Sequence, residues 1–191
     1  MYLTQVKDAR PYGCVELLAN NQVKSFLEKM ENPISNQINA GCYIFNPDVI
    51  NQIPADQVVS VERDTFPKLL ATGARVFGYL DNSYWLDIGT PAALVKASAD
   101  LVTGVISSSA TPEHSKDALI FPTANISTDC LINNGSVIEG EVVIENNCQI
   151  SGSIIGKGAK IGADCKIIDS IIAPGAQIEA GMVVLTNYLG F

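Results

Sequence analysis

The stretch Ile144-Glu145-Asn146-Asn147-Cys148-Gln149-Ile150 sets two isoleucines six residues apart, with a cysteine four residues after the first. Read outward, the same interval recurs at Ile120, Ile126, Ile132 and Ile138 before it. After a one-residue slip it continues at Ile155, Ile161 and Ile167, and after a second at Ile172, Ile178 and Val184. Four residues after each aliphatic comes a position that is usually small or β-branched: Ala124, Cys130, Ser136, Val142, Cys148, Ile154, Ala159, Cys165, Ile171, Ala176 and Met182. Both positions are expected to point inward in a parallel β-helix of hexapeptide repeats. Three short strands make one triangular coil there, and stacked coils pair each other's backbone. Twelve such hexads make four coils, a rise of roughly 19 Å at a strand spacing of about 4.8 Å.

The same repeat disposes of two tempting motifs. Gly156-Lys157-Gly158-Ala159-Lys160-Ile161-Gly162 looks like a phosphate loop, but it lacks the GK[ST] ending and falls on the hexapeptide period. Cys130, Cys148 and Cys165 are spaced to stack on one inner face of successive coils. With no histidine or carboxylate on the inward rows, they read as small buried hydrophobes rather than as a metal or redox ladder.

Composition narrows the classes further. The chain of 191 residues has 12 Lys+Arg against 20 Asp+Glu, a formal charge of -8, and no basic cluster, so it offers no electrostatic footprint for nucleic acid or an anionic membrane. Hydrophobic residues make up 47% and charged residues 17%, which places it among core-rich globular chains. No apolar run approaches the roughly 20 residues that span a bilayer, and the first residues lack the apolar stretch of a secretory signal. A cytoplasmic location is therefore expected. Five cysteines without a CxxC pair argue against a disulfide framework and for reduced thiols.

The first hundred residues alternate between strand and helix patterns. Tyr2 to Val6, Gly13 to Leu17, Val23 to Leu27, Ile38 to Phe45 and Arg75 to Leu80 read as strands. Helices are expected from Asp48 to Ile53, from a Ser60 cap to Leu70 before Gly73, and from the Thr90-Pro91 cap to Gly104. Ser, Thr, Pro and charged residues from Val105 to Ala118 suggest a linker. The expected organisation is an α/β domain over 1–104, a linker over 105–118 and a β-helix over 119–191.

Five separated segments follow one another in the first domain: Tyr12-Gly13, Phe26-Leu27-Glu28-Lys29, Ser35-Asn36-Gln37-Ile38-Asn39-Ala40-Gly41, Ser60-Val61-Glu62-Arg63-Asp64-Thr65-Phe66-Pro67 and Trp85-Leu86-Asp87-Ile88-Gly89-Thr90-Pro91. This series resembles the sugar-binding half of the sugar-1-phosphate nucleotidyltransferases, most closely the mannose-1-phosphate guanylyltransferase (GDP-mannose pyrophosphorylase) branch. Several members carry a C-terminal left-handed β-helix. The resemblance implies the C-terminal part of a Rossmann-like nucleotidyltransferase domain followed by such a helix. It implies transfer of a nucleotide from a nucleoside triphosphate, GTP in this branch, to a sugar 1-phosphate, in nucleotide-sugar supply. Gly13 would let its backbone approach the sugar, and Glu28 would accept hydrogen bonds from ring hydroxyls. Lys29 would pair with the sugar phosphate, and Asn39 and Gly41 would complete the pocket. Asp87 would be one of two carboxylates on the Mg²⁺ that bridges the phosphates.

Two departures from the family pattern stand out. Its glycine-rich G-x-G-T-R-L segment, which cradles the triphosphate, and its second metal aspartate have no counterpart in this sequence, and Met30 replaces the proline that usually follows Glu-Lys. The sequence therefore leads to an expectation of the C-terminal part of the enzyme, as a fragment, a split subunit or a degenerate relative, inactive alone, covered by a complementary N-terminal chain or by a copy of itself, and a homo-oligomer in isolation. The alternatives are a non-catalytic sugar-phosphate-binding or scaffold subunit and a hexapeptide acyltransferase. The last would need a histidine base, and the one histidine, His114, falls in the expected linker rather than on a coil.

Overall fold

The computed structural model describes residues 1–109 and 117–190, which divide into two units, Met1–Trp85 and Leu86–Phe191. His114 and the middle of the expected linker lie outside the described residues. The α/β unit followed by a parallel β-helix is the fold class that the sequence predicts. No helix among the described residues is long and apolar enough to cross a membrane.

In the first unit, alternating apolar residues build five strands: β1 (Tyr2–Gln5), β2 (Gly13–Leu17), β3 (Val23–Glu28), β4 (Gln37–Asn39) and, late in the unit, β5 (Tyr79–Leu80). They lie in the order β3-β2-β4-β1-β5 and are antiparallel except for the β1–β5 pair. One sheet face packs Leu3, Val15, Val23 and Phe26 against Phe66 and Leu69. Between β4 and β5 come the short helices α1 (Pro47–Ile50) and α2 (Phe66–Ala71).

Three expected elements are shorter or different, each for a local reason. The strand expected over Ile38 to Phe45 ends at Asn39, because the Asn39 side-chain oxygen Oδ1 accepts from the Gly41 N–H at 3.0 Å and Gly41 takes φ +82°. The helix expected from Ser60 begins as capped, with Ser60 Oγ accepting from Arg63 N at 3.1 Å, but its first turn, Val61–Thr65, is π-helical. Pro67 lacks an N–H and its ring crowds the carbonyl four residues back, so the turn widens before α2 continues. The strand expected over Arg75 to Leu80 is reduced to β5 and a single bridge between Gln22 and Phe77.

The second unit opens with α3 (Pro91–Val102), capped by Thr90 Oγ1 accepting from Ala93 N at 3.2 Å. It continues into the first strands of the β-helix, β6 (Ala118–Ile120), β7 (Asn125–Ile126), β8 (Leu131–Asn133) and β9 (Ser136–Ile138). All later strands stack on these in register, giving three parallel sheets of four, four and five strands. Ile120, Ile138, Ile155, Ile172 and Leu189 form one column, Ile126, Ile144, Ile161 and Ile178 a second, and Ile132, Ile150, Ile167 and Val184 a third. The helix α3, grouped by sequence with the residues before it, lies against β9.

The one-residue slips all fall at the same corner, and they correct the expected inward row there. Asn134, Gly135 and Ser136 in the first coil stand opposite only Gly152 and Ser153 in the next. The lost residue puts Ser153 and Ser170 inside, 1% and 0% exposed, while Ile154 and Ile171 alternate with core isoleucines and face outward, where Ile171 is 8% exposed. Met182, also expected inside, is 42% exposed in the last coil. The extra residue of the first coil is where α3 comes closest: a Cβ at Gly135 would lie 2.6 Å from Ala99 Cα.

Inside the coils, the buried serine hydroxyls are answered by neighbours, whereas Asn133 Oδ1 is buried without a partner. Ser136 Oγ accepts from Ser153 N at 3.2 Å, Ser153 Oγ from Ser170 N at 3.1 Å, and Ser170 Oγ from Asn187 N at 3.1 Å. Each hydroxyl in turn donates to a carbonyl of its own corner. Cys130, Cys148 and Cys165 stack as expected, with Sγ atoms 3.0 Å, 3.2 Å and 3.1 Å from the carbonyls of Glu145, Gly162 and Glu179. Burial pushes the Cys148 thiol up to about 11, which keeps it protonated and unreactive.

Candidate functional site

The last rung of the β2–β3 hairpin pairs Gly13 with Glu28. Glu28 lies across the bare α-carbon, so that a Cβ at Gly13 would sit 2.7 Å from Glu28 Oε2 and 2.7 Å from Phe26 Cζ. Glycine is required here by space rather than by backbone angle. The next residue, Lys29, takes φ +50° while its N–H donates to Tyr12 O at 3.1 Å. A left-handed lysine costs roughly 1–2 kcal/mol, and Lys29 is exposed next to the half-buried Glu28. Met30 follows in place of a proline, so the angle is held by the hairpin rather than by a ring.

Asn39 ends β4 on the strand's approach to this corner. Its loop is tied down on two sides: Ala40 N donates to Tyr2 O at 3.0 Å, and Trp85 Nε1 donates to Ala40 O at 3.2 Å. Trp85 stacks edge-on against Tyr12 at 5.6 Å, so its role is to hold the loop. The Asn39 amide donates to Tyr43 Oη. Tyr43 Oη donates to Glu62 Oε1 at 2.8 Å, and Ser60 Oγ to Glu62 Oε2 at 3.2 Å. Burial pushes the Tyr43 phenol up to about 12; the Asn39 bond opposes this, and the Glu62 and Glu28 carboxylates add to it. Gly13, Glu28, Lys29, Asn39 and Gly41 thus belong to one region of the first unit.

Tyr43 and Glu62 were not among the sequence candidates, although Glu62 lies inside one of the quoted segments. Only the distance between them in sequence hid the pairing. Asp87 falls in the second unit, exposed, with its carboxylate turned toward Gly89: a Cβ there would lie 3.3 Å from Asp87 Oδ2. No three His, Cys, Asp or Glu side chains come together as metal ligands among the described residues. These residues do not make a self-contained metal site; Asp87 fits only as a single carboxylate on an ion whose other ligands come with a phosphorylated substrate and water, a common arrangement for Mg²⁺. A cavity of ≈ 310 Å³ elsewhere in the unit is lined by Val49, Ile53, Val58 and Leu69 together with Gln52, Asp64 and Lys68, and Tyr43 lines two others.

The nucleotidyl transferase family matches residues 1–104, and a family described as GMPPB C-terminal domain matches residues 114–188. The chain is 42% identical over 164 residues to mannose-1-phosphate guanylyltransferase of Mycobacterium tuberculosis, covering 85% of this chain and 46% of that protein. It is 33% identical over 145 residues to a putative mannose-1-phosphate guanyltransferase of Sulfolobus acidocaldarius, covering 73% and 39%. It is 28% identical over 172 residues to mannose-1-phosphate guanylyltransferase 1 of Arabidopsis thaliana, covering 83% and 45%. The chain spans less than half the length of each of these relatives.

Proposed function

This chain belongs to the nucleotidyl transferase family, and on that premise we propose that its first unit holds the sugar 1-phosphate of a mannose-1-phosphate guanylyltransferase reaction. The observation that carries the reading is the polar corner at the end of the β2–β3 hairpin, where Glu28 and Lys29 stand beside Asn39's loop over a glycine that admits no side chain. Glu28 accepts from sugar hydroxyls, the Asn39 amide donates to one, and Lys29 meets the phosphate as a cation. The space over Gly13 is taken by Glu28 and the Phe26 ring, so the glycine's part is to let the Glu28 carboxylate lie close against the sheet rather than to meet the sugar itself.

In the reaction the sugar phosphate oxygen forms a bond to the α-phosphorus of GTP as the bond to the β-phosphate oxygen breaks and pyrophosphate leaves. Orientation and charge stabilisation are what the residues here contribute: Glu28 and Asn39 fix the ring, and Lys29 holds the attacking phosphate without quenching it. Asp87 would give one carboxylate to Mg²⁺, which neutralises charge on the phosphates when bound. The glycine-rich segment of the family type is not among the residues of this sequence, so they supply the sugar-phosphate side of the reaction, and the triphosphate would be held by other residues, of the same polypeptide or of a complementary chain. Exposed Ile44, Phe77 and Tyr79 and the open edge at β5 support a covering surface there, from such a chain or from a second copy.

Calorimetric titration of the chain with mannose 1-phosphate, mannose and inorganic phosphate tests the reading. Mannose 1-phosphate should bind more tightly than either part alone, and Lys29→Ala should weaken it about 10- to 100-fold, as loss of a charge-assisted contact does. No saturable binding of mannose 1-phosphate would overturn the proposal.

A further inference from the structure

The hydrogen bonds around Asn39 have a direction, and Glu62 sets it. A carboxylate only accepts, so Glu62 Oε1, 2.8 Å from Tyr43 Oη, takes the phenolic proton. With its proton committed, Tyr43 Oη can only accept from the side chain on its other side, so the Asn39 amide presents N–H to it. The other end of the amide agrees: Asn39 Oδ1 accepts from Gly41 N at 3.0 Å. Asn39 is thus fixed between a donor and an acceptor, and the second N–H of its amide is the group left to face a ligand. A flipped amide would set its NH₂ against the Gly41 N–H.

We infer that Tyr43 and Glu62 are positioning residues that fix the polarity of Asn39, so that the corner offers one donor from Asn39 and one acceptor from Glu28 to the hydroxyls of the sugar. This rests on the sugar-1-phosphate reading of the site. A ligand satisfies such a pair with one hydroxyl that accepts and another that donates, as neutral sugar hydroxyls do, whereas a phosphate anion is repelled by the Glu28 carboxylate and is drawn to Lys29 instead. Ser60 Oγ, 3.2 Å from Glu62 Oε2, steadies the far end of the relay. The Tyr43 ring is held independently by Phe66, at a centroid distance of 5.0 Å, and by Phe45 at 5.7 Å. Removing the hydroxyl therefore leaves the packing in place.

The test is calorimetric binding of mannose 1-phosphate and of inorganic phosphate to the full chain, with thermal denaturation of each variant alongside. Tyr43→Phe should weaken mannose 1-phosphate about tenfold, the usual effect of one lost hydrogen bond, and leave phosphate binding unchanged. Glu62→Ala should match it, and Glu62→Gln, whose amide oxygen can still accept from Tyr43, should restore most of the affinity. Equal binding of mannose 1-phosphate by wild type and both weakening variants overturns the relay while leaving the sugar-phosphate reading intact. Parallel loss of phosphate and sugar-phosphate binding also overturns it, because a general loss of structure moves both. A wild-type chain that binds neither overturns this inference together with the reading beneath it.

Discussion

In the β-helix, Cys148 is 1% exposed with its Sγ 3.2 Å from Gly162 O, and the hydroxyls of Ser153 and Ser170 close on carbonyls of their own corners. In the first unit, Glu28 and Asn39 are half-buried and Lys29 is exposed, and the relay that fixes Asn39 leaves one of its N–H groups unused. Both units bring polar groups near apolar cores, but the serines of one close on neighbouring coils, with Asn133 Oδ1 left buried and unpartnered, while on the proposed reading the other holds an Asn39 N–H and the Glu28 carboxylate for a ligand. A stack of like coils gives every inner side chain the same neighbour above and below, which suits stability and leaves little for chemistry. The hairpin corner joins residues distant in sequence and holds a left-handed lysine, a strain of the kind found at binding sites.

If the two units divide the work this way, substitutions in them should separate stability from binding. The largest effect is expected from Ile155→Ala, at a position 0% exposed with isoleucines above and below it: the β-helix should lose about 2–5 kcal/mol, measured by denaturant unfolding. A loss well under 1 kcal/mol would show that the coils do not form the close-packed column described here.

A pair of glycine substitutions sharpens the contrast. Gly135→Ala forces a Cβ to within 2.6 Å of the α3 backbone at Ala99 from a φ of +75°, and should cost about 1–3 kcal/mol without changing mannose 1-phosphate affinity. Gly13→Ala meets the movable end of Glu28 and the Phe26 ring, and should cost less stability yet remove most of the binding. Equal effects of both on binding would erase the distinction between the units.

How much of this was legible in the sequence follows the same division. The period of six gave the columns from Ile120 to Val184 residue by residue, because each coil repeats one local rule. It failed where the count changed, at Ile154 and Ile171, since a one-residue loss reverses which side of the strand faces inward. In the first unit, β1, β2 and β3 were readable from alternation and the turn before Val23. The length of β4 was not, because a side chain, Asn39, ends it. The candidate residues Gly13, Glu28, Lys29, Asn39 and Gly41 came from motif order. The Tyr43–Glu62 bond joins two helix-flanking segments that no spacing rule links, so it became visible only in three dimensions.

The central claim, that the hairpin corner of the first unit is the ligand site and the coils of the β-helix carry no part of it, is tested most directly by amide chemical-shift mapping of the chain titrated with mannose 1-phosphate. The predicted result is saturable shifts at Gly13, Glu28, Lys29, Asn39 and Gly41, with the amides of Cys148, Ile155 and Ile161 unmoved. Shifts centred on the coils, or none at the hairpin corner at saturating ligand, would contradict it.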